Sequence, residues 1–242
     1  MPLLRESMAC IVRGLLAVAT VALALAFVAG LVAAADPKAP NTSCARGELD
    51  NCYSESQMDR FLEVGHQMVT DYLAHIGVSS GPTLIYVPEG RSVNSRCGWQ
   101  FDHSSDYCPA SNTVFRGQGL LWDNYHQYGA AGPIAGLGHE YGHFLQRISG
   151  VPYPQTDAET IQHEDQADCV AGAFVKYLGG LGSVEYPRDF RNLGHFLRAI
   201  GSAEGPGRDH GTADERVHSF EFGLFGDLTA CNRFYPHTPL GT

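Results

Sequence analysis

The chain has 242 residues, with 26 acidic against 16 basic side chains and a formal net charge of −10 at neutral pH. This charge argues against nucleic acid as a partner, because binding to the phosphate backbone requires clusters of Lys and Arg. The length beyond residue 35 suffices for one domain with a substantial hydrophobic core.

The amino-terminal segment is almost wholly apolar over residues 15–35 and is preceded by Arg5 and Arg13. Small residues at 32–35, followed by a polar stretch, are typical of a signal-peptide cleavage site. About 20 apolar residues can also span a bilayer. Residues 1–35 are therefore predicted to be a signal peptide, which their alanine content favours, or an N-terminal membrane anchor. Either alternative places the remaining chain outside the cytoplasm, secreted or anchored through 15–35.

Residues 36–54 are polar and contain proline, as in a linker, and 55–242 are predicted to form a single domain. Apolar spacing and turn residues predict α+β structure, with a small sheet followed by a mainly helical half. In chain order, the predicted elements are a helix over 55–76, strands over 83–87 and 112–116, helical structure from 122–128 leading to 131 and the next helix, helices over 159–178 and 188–200, a glycine-rich loop over 201–207 and a helix over 212–224.

The stretch 139–143 reads His-Glu-Tyr-Gly-His, which has the form His-Glu-x-x-His. On a helix, His139 and His143 share one face, so both imidazoles can reach one metal ion. Glu140 projects beside that ion, where its carboxylate can take a proton from a water molecule activated by the metal. The alternative is a surface helix with two histidines, but apolar flanks at helical spacing favour a buried helix.

Two glycines in the same predicted helix, Gly138 and Gly142, each cost about 1 kcal/mol relative to alanine. Small residues at these positions are expected to let another backbone or a substrate approach closely.

A second acidic pair lies downstream, where Glu164 and Asp168 are four residues apart and share a helix face. Glu164 is the candidate third metal ligand and leaves a fourth position open for water. Asp168 can accept the distal N–H of a ligating His and fix its tautomer. The alternative is a solvated acidic start of a helix. His163 is a rival ligand, although it lies one residue off this face.

Several blocks together resemble the neutral zinc metallopeptidase family of bacteria, one of the zincins with a thermolysin-like ligand set. The resemblance extends over residues 80–235 and implies a zincin-like domain with one Zn²⁺ per chain. It implies that His139, His143 and Glu164 are the zinc ligands and that Glu140 is the catalytic base. The blocks that carry it are 97–98, 107–110, 113–115, 139–146, 164–172, 210–212, 215–216 and 226–231.

The implied function is that of an exported zinc-dependent endopeptidase, which hydrolyses peptide or protein substrates with zinc-activated water and Glu140 as general base. Two alternatives remain open. One is a zincin-fold binding or scaffold protein without turnover, against which the intact Glu140 argues. The other is a cell-wall amide hydrolase, which the sequence does not separate from a peptidase.

A hydrogen-bond donor to the oxyanion at the scissile carbonyl would complete such a site. His210, just before the last predicted helix, is the candidate catalytic donor, and the alternative is a solvent-facing ring at the start of that helix. Tyr141 and Tyr153 are weaker candidates.

The cysteine count supports an oxidising compartment. Apart from Cys10, which lies ahead of the apolar run, six cysteines remain, and an even number in an exported chain predicts disulfides. Short loops favour Cys44–Cys52 and Cys97–Cys108, which leaves Cys169–Cys231. Thiolate metal ligands are disfavoured because the chain has no Cys-x-x-Cys and the His/Glu set already completes a site.

Overall fold

The computed structural model describes residues 55–184 and 188–241. The predicted signal peptide or anchor, the predicted linker and the predicted Cys44–Cys52 pair lie outside these residues. Within the described part, helices and two small sheets confirm the α+β class. None of the described helices is both long enough and apolar enough to cross a membrane.

The helices and strands predicted from the sequence are all present, with some shifted ends. Gly129, with φ of 69°, separates the helix that carries residues 122–128 from the one that carries 139–143. In chain order the elements are α1 (Glu55–His75), β1 (Thr83–Val87), β2 (Ser92–Ser95), β3 (Gly98–Phe101), β4 (Ser105–Cys108), β5 (Thr113–Gly117), α2 (Gln118–Tyr128), α3 (Ala131–Ser149), α4 (Asp157–Gly180), α5 (Arg188–Ala199), α6 (Ala213–Ala230) and a 3-10 turn (Cys231–Arg233).

Three strands, β2, β3 and β4, were not predicted. The first sheet has the order β1-β5-β4, with β1 parallel and β4 antiparallel to the central β5, while β2 and β3 form a separate antiparallel hairpin. Each missed strand has only four residues, so period-2 alternation provides too weak a signal to recognise it.

The helical half depends on close contacts at glycines. A Cβ on Gly142 of α3 would lie 2.8 Å from Cα of Ala167 on α4, and one on Gly172 of α4 would lie 1.9 Å from the Phe220 carbonyl oxygen on α6. The backbones of α3, α4 and α6 therefore approach closely. For Gly142 this confirms the expected approach of another backbone, and a Cβ on Gly138 would lie 2.7 Å from the Phe174 ring and 3.4 Å from Cα of Ala171.

The start of α4 is set by a capping box. The Thr156 side chain accepts a hydrogen bond from the Glu159 N–H, and the Glu159 carboxylate accepts one from the Thr156 N–H. This arrangement satisfies backbone donors that the first turn of a helix leaves without partners. Because the helix begins here, Glu164 and Asp168 fall in its second and third turns, opposite α3.

Two disulfides join the described elements, and both are predicted pairs. Cys97–Cys108 connects the β2–β3 hairpin region to β4, and Cys169–Cys231 connects α4 to the 3-10 turn after α6. Disulfides persist mainly in oxidising compartments, so both pairs are compatible with a location outside the cytoplasm.

We expect Gly172→Ala to reduce the free energy of unfolding by about 3 kcal/mol, because the added methyl group would force α4 and α6 apart. The matched control is Gly194→Ala on α5, where a Cβ meets nothing within 4 Å. That change should stabilise the protein by up to about 1 kcal/mol through helix propensity. Urea titration under non-reducing conditions measures both changes, and equal effects of the two substitutions would contradict the close contact.

Candidate metal centre

Three side chains from α3 and α4 converge on one point. The Nε2 atoms of His139 and His143 lie 3.1 Å apart. Nε2 of His139 is 3.2 Å from Oε2 of Glu164, and Nε2 of His143 is 3.3 Å from Oε1 of the same carboxylate. The structure thus brings together the three residues that the sequence selects as ligands, and their grouping could bind a metal ion.

The His139 ring is held from behind by a buried carboxylate. Its Nδ1 lies 2.8 Å from Oδ1 of Asp168, which also accepts a hydrogen bond of 2.8 Å from the Arg216 guanidinium. Asp168 and Arg216 are 1% and 3% exposed. Because a carboxylate only accepts hydrogen bonds, the proton of neutral His139 must be on Nδ1, which leaves the Nε2 lone pair directed into the cluster.

The His143 ring is held by an amide network that the sequence did not predict. Its Nδ1 lies 2.8 Å from Oε1 of Gln146, whose Nε2 donates to the His163 carbonyl oxygen at 2.6 Å and to Oε1 of Gln166 at 3.1 Å. Nε2 of Gln166 donates to the Cys231 carbonyl oxygen at 3.1 Å. Because Nε2 of Gln146 donates both of these hydrogen bonds, Oε1 of Gln146 must accept one from Nδ1 of His143. This orientation also leaves a lone pair on Nε2 of His143.

The electrostatics of the cluster favour a positive charge at its centre. Burial lowers the pKa of His139, but the carboxylates of Asp168 and Glu164 outweigh burial and raise it to about 10. Burial raises the pKa of Glu164, but His143 and His139 outweigh burial and hold that pKa well below its ordinary value. Oε2 of Glu164 is buried and makes no hydrogen bond of good geometry with a described residue, although Nε2 of His139 and Nε2 of His210 lie 3.2 and 3.4 Å from it. A bound cation would satisfy this oxygen and both imidazole lone pairs.

Glu140 is only 7% exposed and lies next to His139 on α3. Its Oε1 accepts a hydrogen bond of 2.6 Å from Oγ of Ser105, the first residue of β4. The carboxylate is therefore held by the sheet, and this hydrogen bond does not involve any atom of the ligand cluster. This position matches a group that acts beside a metal ion and does not bind it.

Two further histidines flank the cluster. Nε2 of His210 lies 3.4 Å from Oε2 of Glu164, its ring faces that of His139 at 6.5 Å, and its side chain is 40% exposed. The His163 ring stacks on that of His143 at 5.1 Å, and burial together with the charge of His143 lowers its pKa to about 4. His163 thus reaches the same cluster, although the helix spacing placed it off the Glu164 face.

The two tyrosines considered as oxyanion donors occupy different environments. Tyr141 is 1% exposed within the core, and its hydroxyl group contacts Nδ1 of His66. Tyr153 is 75% exposed in the segment between α3 and α4. The hydroxyl group of Tyr141 therefore already has a partner, whereas a ring nitrogen of His210 lies within 4.8 Å of ligand atoms of His139 and Glu164.

Comparison with known proteins gives no match among family models, curated proteins or solved structures. What distinguishes the cluster is its own chemistry. Two imidazole nitrogens and the carboxylate of Glu164 converge, each imidazole is held by a buried acceptor, and Oε2 of that carboxylate is buried without a hydrogen bond of good geometry among the described residues.

We expect Asp168→Asn to weaken metal affinity by about 10- to 100-fold, because the His139 ring loses the carboxylate that fixes its tautomer. Competition between the protein and a chromophoric chelator, with zinc as the probe metal, measures the dissociation constant. The control is Asp71→Asn on α1, an exposed carboxylate that bonds only Gln67 among the hydrogen bonds seen here. Equal affinities of Asp168→Asn and the control variant would contradict this role.

Proposed function

We propose that the protein is an exported zinc-dependent endopeptidase, and that residues 55–242 form a zincin-like metallopeptidase domain related to the neutral zinc metallopeptidases. One observation carries this proposal. His139, His143 and Glu164 converge on one point, and the buried carboxylate of Glu140 lies on the same helix beside them. Two imidazoles, one carboxylate and an adjacent base are the requirements for metal-assisted hydrolysis.

The separations between the ligand atoms support zinc as the metal. Zinc bound tetrahedrally by nitrogen and oxygen at about 2.0–2.1 Å requires ligand atoms roughly 3.3 Å from one another. The two Nε2 atoms lie 3.1 Å apart, Nε2 of His139 lies 3.2 Å from Oε2 of Glu164, and Nε2 of His143 lies 3.3 Å from Oε1 of the same carboxylate, so each imidazole has a carboxylate oxygen at about this distance. Three protein ligands also leave a fourth position for substrate or water, as is usual in catalytic zinc sites. Two disulfides support export.

Bound zinc would supply Lewis-acid chemistry, polarising the scissile carbonyl and lowering the pKa of water. Glu140 takes a proton from the attacking water and later passes it to the leaving amine. Asp168 and Gln146 keep the two imidazoles in the tautomers that binding requires. His210, which is partly exposed, donates a hydrogen bond to the oxyanion formed at the carbonyl.

Two other functions are compatible with the ligand cluster. A binding or scaffold protein with a structural metal site has no use for Glu140, so the buried, hydrogen-bonded carboxylate of this residue favours an enzyme. A cell-wall amide hydrolase would use the same groups in the same roles. Assays must therefore include wall peptides as well as proteins.

We expect one zinc ion per chain in the wild-type protein and strongly reduced zinc content in His143→Ala and Glu164→Ala, because each removes one of three ligands. Metal analysis after removal of loosely bound ions measures the stoichiometry. His195→Ala, which removes an exposed histidine on α5, serves as the control and should retain zinc. Full zinc content in both ligand variants would refute the ligand assignment.

We expect Glu140→Gln to retain zinc and fold but to lose hydrolysis by at least about 100-fold, the scale of a lost general base. The assay measures hydrolysis of casein, of a peptide library and of cell-wall peptides. Zinc content is measured on the same samples. Near-normal turnover of this variant would exclude Glu140 as the base. Lack of activity of the wild type on every substrate would favour the scaffold alternative.

A further inference from the structure

A serine and an arginine of the sheet connect to the carboxylate of Glu140. Ser105 on β4 and Arg116 on β5 are directly opposite each other in the antiparallel register. Oγ of Ser105 donates to Oε1 of Glu140 at 2.6 Å, and NH1 of Arg116 donates to Oγ of Ser105. A continuous hydrogen-bonded path therefore runs from β5 through β4 to α3.

The guanidinium of Arg116 is an unusual group to find at this depth. It is 2% exposed, its other hydrogen bond in the described chain is to the Pro133 carbonyl oxygen at 3.4 Å, and its Nε lacks a partner there. The acidic side chain whose charge acts on it is Glu140. Burying a cation without a directly paired carboxylate is costly, so simple packing does not explain Arg116.

The directions of these hydrogen bonds determine which oxygen of Glu140 is available. A guanidinium only donates hydrogen bonds, so Oγ of Ser105 must accept from Arg116. The hydroxyl proton of Ser105 is then free to point at Oε1 of Glu140. In an ionised carboxylate this oxygen can accept a hydrogen bond but cannot donate one. Oε1 is occupied, and Oε2 has no hydrogen bond with any described residue. Ser105 and Arg116 thus make the two carboxylate oxygens of Glu140, which are otherwise equivalent, different from each other.

We propose that Ser105 and Arg116 are positioning residues for Glu140: Arg116 orients the hydroxyl group of Ser105, and this hydroxyl group fixes the carboxylate so that Oε2 is the proton-accepting atom. This inference rests on the proposed function insofar as Glu140 is the general base. Neither residue touches the ligand cluster through any contact seen here, so both act through Glu140. Loss of positioning should slow the chemical step and leave substrate binding and metal content unchanged.

The kinetic test uses Ser105→Ala and Ser105→Thr. We expect Ser105→Ala to lower kcat by about 10-fold, with KM within about twofold of wild type and full zinc content. Ser105→Thr keeps the hydroxyl group and should restore most of kcat. The control is Ser95→Ala on β2, which removes a hydroxyl group that bonds the Gly98 carbonyl oxygen within the hairpin. That variant should keep the wild-type kcat.

A thermal-unfolding cycle tests the contact without using activity. In zinc-free and in zinc-loaded protein, Ser105→Ala should lower Tm by about 4–8 °C, because it removes two hydrogen bonds, the one donated to Glu140 and the one accepted from Arg116. In the Glu140→Ala background, Ser105→Ala should shift Tm by about half as much, because only the hydrogen bond from Arg116 remains to be lost. Equal Tm shifts in the two backgrounds would show that Ser105 does not hold Glu140.

The outcomes separate this inference from the proposed function. If the wild type hydrolyses no substrate, the peptidase proposal fails, while the coupling of Tm shifts still decides whether Ser105 holds Glu140. If the wild type is active and Ser105→Ala keeps its kcat, positioning is overturned and the peptidase remains. A Tm loss without a kcat loss, or a kcat loss that Ser105→Thr does not restore, also overturns positioning.

Discussion

The contact between α3 and α4 at Gly142 sets the distances on which the candidate metal centre depends. A Cβ at this position would lie 2.8 Å from Cα of Ala167, so the two backbones approach as closely as side-chain-free packing allows. His143 follows Gly142 directly, and Glu164 precedes Ala167 by almost one helical turn. If the helices separated by one or two ångströms, the carboxylate would leave the range of a shared metal ion. Gly142 therefore allows the two helices to pack closely, although glycine destabilises a helix by about 1 kcal/mol relative to alanine.

The groups around the cluster form two buried networks that differ in chemistry. Behind His139 lies a charged pair, Asp168 with Arg216, and behind His143 lies a neutral amide relay that ends at the Cys231 carbonyl oxygen. Buried polar groups are stable only when they are hydrogen-bonded, and these networks satisfy most of the donors and acceptors that they bury. Three exceptions among the described residues are Oδ2 of Asp168, Nε of Arg216 and, at the centre of the cluster, Oε2 of Glu164. Metal binding should therefore contribute to the stability of the fold as well as to chemistry.

How much the sequence predicts depends on whether residues carry a recognisable pattern, either a helical spacing or a cysteine count. Spacing on a helix sufficed to select His139, His143, Glu164 and Asp168, since positions four apart share a face. The parity of the cysteines and the lengths of the loops were enough to pair Cys169 with Cys231. Gln146 lies three residues after His143, so helix spacing also brings these two side chains together.

Two buried arginines, which reach their partners from other elements, left no such pattern. Arg216 reaches Asp168 from α6, and Arg116 reaches Ser105 across a strand pair too short to be recognised. The position of His163 shows the limit of single-helix reasoning, because the crossing of α4 over α3 brings two successive residues to the same cluster. The contacts of these residues become visible only when the elements are assembled. For this reason the sequence did not predict the hydrogen-bond networks around the candidate ligands.

X-ray absorption at the zinc edge of the purified, zinc-loaded protein tests the central claim most directly, because it identifies the atoms bound to the metal. The account predicts a single shell of about four nitrogen or oxygen ligands at about 2.0–2.1 Å, with the outer-shell scattering of two imidazoles. Sulfur scattering at about 2.3 Å, or a shell without imidazole, would contradict a centre built from His139, His143 and Glu164.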